Sequence, residues 1–143
     1  MSQISAAAVA SASQATEGKV ELATQAEMEA GTDTGRVAAV GVLKHLRLVA
    51  KAWVKFNPVG TIQVDEGVDS ITDHGVGDWT VNYTTAFSSV NYVVSATSHS
   101  AAVFQRELHT FAFAVASTRI NCTNTSDVAS DNTNTMAVAF GDQ

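Results

Sequence analysis

Cysteine is nearly missing from this chain. Cys122 is the only one in 143 residues, so no intrachain disulfide and no thiolate metal cluster can form. It alternates with Ile120, as a small buried side chain in a strand would. Aromatic residues are missing ahead of Trp53: all six Phe, both Trp and both Tyr lie there or beyond. A segment without aromatics and with few large aliphatics recovers little of its own ordering entropy. The N-terminal part is therefore expected to need partner chains. Basic charge is scarce too, with 8 Lys and Arg against 14 Asp and Glu, a formal net charge of −6. An acidic chain without a basic cluster carries no electrostatic footprint for nucleic acid. Lys44, Arg47 and Lys51 read as the wet side and C-terminal turn of a helix, where cations suit the dipole. No apolar run approaches the roughly 20 residues that span a bilayer, so no membrane insertion is expected. The opening Met1-Ser-Gln-Ile-Ser lacks the positive region of a signal peptide. Without a secretory route, the Asn-x-Thr/Ser matches at Asn82, Asn121 and Asn124 are chance.

What is present changes character along the chain. Residues 1–14 are Ala- and Ser-rich, good helix formers with little to bury. Lys19-Val-Glu-Leu-Ala23 alternates, placing Val20 and Leu22 on one side of a short strand. Thr24-Gln-Ala-Glu27 is a capping box, and Gly31 stands where a left-handed helix cap belongs. A helix over residues 25–30 is predicted. A second helix is predicted over about 39–50, because Val42, Leu46, Val49 and Trp53 recur at helical spacing. Val40 and Leu43 widen that stripe, and three copies around an axis would cover it.

From Trp53 the period becomes two. Residues 52–64 read as two short strands with Pro58 and Gly60 in the turn. Asp73-His-Gly-Val-Gly-Asp78 is a second turn. Trp79, Val81 and Tyr83 alternate with polar residues, which places Trp79 in the core. A strand follows over residues 91–97. Phe111, Phe113 and Val115 alternate with alanines, then come Ile120 with Cys122, and finally Met136, Val138 and Phe140. Short strands at this spacing predict an antiparallel β-sandwich. Asn124 to Asn134 is a polar loop. The whole reads as mainly β with an N-terminal helical neck: an attachment segment over 1–14, a neck over 15–51 and a β-domain over 52–143.

Two stretches resemble bacteriophage tail fibres. Thr16-Glu-Gly-Lys-Val-Glu-Leu-Ala-Thr24, Ala26-Glu27, Ala30-Gly-Thr-Asp-Thr34 and Val40-Gly-Val-Leu43 are similar to the short repeat of fibre shafts. There Val40 replaces the usual helix-starting proline. Ala52-Trp-Val-Lys-Phe-Asn57, Gly60-Thr-Ile62, the run from Ser70 to Phe87 and Asn91-Tyr-Val-Val94 are similar to the β-domain that ends many such fibres, and the closing Met136-Ala-Val-Ala-Phe140 fits it. The resemblance implies an intertwined homotrimer displayed on the virion. It would dock on other virion proteins through its N-terminal segment, and its distal β-domain would bind a bacterial surface glycan or protein. It implies no catalytic residues and no cofactor. A purely structural decoration such as a capsid fibre, or a glycan-cleaving tailspike, are the alternatives.

On that reading the trimer interface comprises Val42, Leu46, Val49 and Trp53. Loops on a rigid sheet usually carry recognition, so the receptor-binding candidates are Asp73, His74 and Asp78 together with Asn124, Thr125, Ser126, Asp127, Asp131, Asn132 and Asn134. No metal-ligand spacing exists among His45, His74, His99 and His109. His99 and His109 are the weak candidates for a site built from one histidine per chain on a trimer axis. Asp65, Glu66 and Asp69 follow no calcium-loop pattern. No two carboxylates are marked as the opposed pair, about 5–10 Å apart, of a glycosidase.

Overall fold

The computed structural model describes residues 21–32, 35–38, 43, 46, 49–99 and 106–143. It divides the chain into two units, Met1–Leu46 and Arg47–Gln143. In the first, Thr24 and Glu27 form the reciprocal capping box and start α1, Gln25–Ala30, with the Glu27 carboxylate 2.9 Å from the Thr24 backbone N–H. Gly31 closes the helix at φ 63°, where its N–H reaches the Glu27 carbonyl, because only glycine takes that conformation without a Cβ penalty. Leu22 pairs with Val37 in an isolated parallel bridge. Arg36 ties the unit together, its guanidinium 3.3 Å from Glu21 and 3.0 Å from Glu27. Yet α1 contains no buried residue, and Leu22 and Val37 are both exposed. Residues 1–20, with Val20 and the proposed attachment segment, lie outside the described residues, as does Val42.

The second unit is all strand. Its elements are β1 (Ala50–Phe56), β2 (Ile62–Glu66), β3 (Val68–Gly75), β4 (Asp78–Tyr83), β5 (Val93–His99), β6 (Arg106–Ala114), β7 (Ser117–Asn124) and β8 (Asn134–Phe140). They form two antiparallel four-stranded sheets, β2-β1-β8-β5 and β3-β4-β7-β6. The strand that opens this unit corrects one expectation. Of the helix predicted over 39–50, only residues 43, 46, 49 and 50 are described; Leu46 and Val49 are not helical, and Ala50 pairs with Phe140 as strand. Trp53 stands on β1, not at the end of a helical stripe, because its neighbours Ala52 and Val54 are drawn into the core by strand alternation.

Between the sheets lie Ala52, Val54 and Phe56 of β1, Trp79, Val81 and Tyr83 of β4, Ile120 and Cys122 of β7, and Ala137 and Ala139 of β8. Phe56 meets Trp79 edge-to-face at 5.6 Å, the geometry the ring quadrupoles favour. The void left among Ala52, Val54, Val81, Val94 and Ala137 measures only ≈ 10 Å³, room for about one water at most. At one end of the core Phe87 stacks on Tyr92 at 4.1 Å, with Tyr83 and Phe113 edge-on to Tyr92.

Three buried hydroxyls there form a directed chain. Tyr83 Oη lies 2.9 Å from Thr118 Oγ1, and Thr118 Oγ1 lies 2.5 Å from Tyr92 Oη. Tyr92 Oη faces the Ala114 and Ser117 carbonyls at 2.8 and 2.7 Å. A carbonyl only accepts, so the Tyr92 proton points to one and Thr118 donates to Tyr92. Burial pushes the pKa of both phenols up, which keeps them protonated and the chain intact.

Phe111 and Phe113 were expected on one face, being two apart. Instead the β6–β7 register shifts between Phe111 and Ala114, with Ala112 in the left-handed region at φ 47°. The extra residue of this bulge turns one side chain over, leaving Phe111 outside and Phe113 against Tyr92. Truncating the sheet-to-sheet contact should be severe. Phe56→Ala is expected to cost about 3–5 kcal/mol, read from urea unfolding at matched protein concentration; a loss under about 1 kcal/mol would contradict this core.

Candidate functional site

Among the described residues, the strand directions place three connections at the end of the sandwich opposite Ala50, where the chain enters β1. They are the β1–β2 turn, the β3–β4 turn and the β7–β8 loop. The β3–β4 turn and the β7–β8 loop, far apart in sequence, meet here. The Gly77 N–H donates to Asp131 Oδ1 at 2.7 Å. The Cys122 N–H donates to the Gly77 carbonyl at 2.7 Å, and the Ser130 N–H to the Cys122 carbonyl at 3.0 Å. Gly77 sits at φ +66°, and a Cβ there would lie 2.5 Å from the Cys122 oxygen and 2.9 Å from the Ser130 nitrogen. Only glycine permits this joint. Trp79 draws in the third turn, its indole N–H donating to the Pro58 carbonyl at 2.6 Å.

The polar loop divides into support and surface. Asn124 Oδ1 accepts the Ser126 and Val128 N–H groups at 2.9 and 3.1 Å, a side chain spent on shaping its own turn. Asn132 is 4% exposed and Asn134 8%; the expected exposed loop turns both inward. Asn132 Oδ1 accepts the Thr135 hydroxyl at 3.1 Å, and its amide faces Cys122 Sγ at 3.6 Å. Burial pushes the Cys122 thiol pKa up, so the residue packs and does not react. Thr125, Ser126 and Asp127 are exposed, as is Asp131 beside its bond to Gly77, along with one exposed valine per connection: Val59, Val76 and Val128.

Asp73, His74 and Asp78 belong to the β3–β4 hairpin. Asp73 Oδ1 accepts the Gly75 N–H at 2.8 Å, and His74 Nε2 lies 2.9 Å from Thr80 Oγ1. On β7, Arg119 forks onto Asp78, Nε to Oδ1 at 2.8 Å and Nη2 to Oδ2 at 2.5 Å. Its guanidinium lies 5.5 Å from the Phe111 ring centre, within cation–π range. Apart from Phe111, which lies under the Arg119 guanidinium, the outer face of this sheet is polar: Ser70 and Thr72, which both receive the Asn82 amide, then Thr80, Asn121 and the Asp78–Arg119 pair.

Among the described residues no three His, Cys, Asp or Glu side chains cluster as ligands. His109 has Glu107 at 3.9 Å, and His99 is exposed at the end of β5. His45 lies outside the described residues. Among the described residues no helix is long and apolar enough to cross a membrane. No known family, characterised protein or solved structure matches this chain.

Sequence reasoning missed a cleft at the other end of the sandwich, lined by Ser88, Ser89, Asn91, Tyr92, Gly141 and Asp142. The Ser88–Asn91 bend was legible; its meeting with Gly141 and Asp142 was not, since the two are joined only by the fold. For the hairpin pair, the Arg119 fork holds the Asp78 pKa below the usual carboxylate range. A depressed folded-state pKa stabilises fully above the unfolded value of about 3.9 and is lost as pH falls through the folded one. Asp78→Asn should therefore lower the urea midpoint at pH 7, with the gap to the parent closing below about pH 3.9. A gap that stays constant down to pH 2, on the order of two units lower, would rule the ion pair out as its source.

Proposed function

We propose that this chain is the subunit of a trimeric bacteriophage fibre, non-enzymatic, whose β-domain holds the particle to a bacterial surface glycan or protein. The observation that carries the self-association is the contrast between the two outer faces of the sandwich. The β3-β4-β7-β6 face is polar but for Phe111, which Arg119 covers in part. On the β2-β1-β8-β5 face, the register pairs Trp53 with Val138 and Phe140 with Val93, with Met136 next along β8 and Val64 set off from it by Lys55. Trp53 is 39% exposed, Val64 48% and Val93 66%. A contiguous apolar sheet face on a folded domain is the mark of a contact surface. Lys55 stands within this face between Val64 and Met136, and Glu66 stands beside Trp53 at its β2 edge, opposite charges that suit a second copy of the same face. Lys51 Nζ is withdrawn from solvent without a hydrogen-bond partner among the described residues, and a carboxylate from a neighbouring chain would satisfy it. In the other unit, α1 has no buried residue, and Leu43 is exposed.

Adhesion falls to the end away from chain entry, where Thr125, Ser126, Asp127, Val59, Val76 and Val128 stand out on a rigid sheet. This arrangement suits recognition by loops. The N-terminal segment would hold the virion. A purely structural decoration uses the same trimer without the tip.

Two variants separate these roles. Val138→Asp puts a charge in the apolar face and is expected to shift the protein to single chains on size-exclusion chromatography with its circular dichroism unchanged; an unaltered elution volume would place the contact elsewhere. Replacing Thr125, Ser126 and Asp127 together by Ala should leave the assembly intact and weaken retention of labelled protein on host cells by about tenfold or more, equivalent to about 1.4 kcal/mol. Unchanged retention would leave a decoration, not an adhesin.

A further inference from the structure

We propose that the cleft beside the β4–β5 connection is a binding site for a single neutral saccharide unit. It encloses ≈ 290 Å³ between Ser88, Ser89, Asn91, Tyr92, Gly141 and Asp142. Small-ligand sites begin at about 300 Å³, so this space takes one sugar ring and not an oligosaccharide. Its walls are fixed by the chain itself. The Ser88 N–H and hydroxyl both donate to the Asp142 carbonyl, at 2.8 and 3.1 Å. Gln143 Nε2 donates to the Thr85 carbonyl at 2.9 Å. Gly141 runs so close to the Phe87–Tyr92 stack that a Cβ would lie 2.6 Å from Tyr92 Cβ and 2.9 Å from the Phe87 ring. The absence of a side chain there keeps the segment against the stack, and the cleft opens beside it.

The chemistry of the free groups selects the ligand. The Ser89 oxygen accepts the Asn91 N–H at 3.1 Å, which leaves its proton to donate. The Asn91 carboxamide and the Asp142 carboxylate have no hydrogen-bond partner among the described residues. Together they offer a hydroxyl donor, an amide that both donates and accepts, and a two-oxygen acceptor. Adjacent ring hydroxyls, each donor and acceptor at once, match that set. None of the lining residues is basic, which disfavours anions, and one carboxylate is too few to hold a divalent cation. One face of the Tyr92 ring is stacked on Phe87, so selectivity rests chiefly on hydrogen bonds. The site lies on one protomer and stands whether or not the chain is a fibre subunit.

Titration of the ¹⁵N-labelled full chain with the methyl glycosides of glucose, galactose, mannose and N-acetylglucosamine tests this, with ethanolamine as a cationic control. At least one glycoside should shift the amide signals of Ser89, Asn91 and Asp142 saturably. The double variant Asn91→Ala/Asp142→Asn removes only side-chain groups without partners and should weaken that binding at least tenfold while its other signals stay in place. No saturable shift with any glycoside overturns the proposal. So does a shift confined to the 125–128 loop, an unweakened double variant, or a response to ethanolamine alone.

Discussion

Trp79 is the residue on which the domain depends. It is wholly buried, so its indole N–H must find an acceptor or cost the full penalty of a stranded donor. It finds the Pro58 carbonyl in the turn of the other sheet, while its ring receives the edge of Phe56. One side chain thus sets the spacing of the sheets and ties down a turn at the tip. Next to it in sequence, Asp78 anchors Arg119, and Gly77 makes the backbone joint to Cys122 and Asp131. The outward residues of the loops are held by this inner scaffold and do not have to order themselves on binding.

The sandwich then presents surfaces of opposite character. Its polar outer face is satisfied within the protomer, through the Asp78–Arg119 fork, the Asn82 amide on Ser70 and Thr72, and His74 on Thr80. Its apolar outer face is not. Burying Trp53, Val138 and Phe140 against further copies would remove that surface from water at about 25 cal/mol per Å². The N-terminal unit makes the same demand, since its well-capped helix buries nothing on its own. These two surfaces are what supports the proposal that the chain associates with further copies of itself.

Much of the fold could be read from the residues. Thr24, Glu27 and Gly31 marked α1 to the residue, because capping chemistry is local. Period-two alternation marked β1, β4, β7 and β8, and placed Trp79 and Cys122 in the core. Three things stayed hidden for physical reasons. The bulge at Ala112 reverses Phe113, and nothing in an Ala between two Phe announces a left-handed backbone. Sheet pairing carried β1 back to Ala50, overriding a helical pattern that Val42 to Trp53 shares with a strand. Inward turning of Asn132 and Asn134 follows from a tertiary joint at Gly77. The tip candidates were legible as polar loops, but their convergence was not. The cleft joins Ser88 to Asp142 across 54 positions, a distance that no local pattern bridges.

The central claim is that the apolar sheet face is covered by further copies of the same chain. Light scattering on the purified full-length protein at micromolar concentration measures this directly. The account predicts a mass three times the 14.9 kDa of one chain. A folded species with the mass of a single chain, its strand-rich circular dichroism intact, would contradict it.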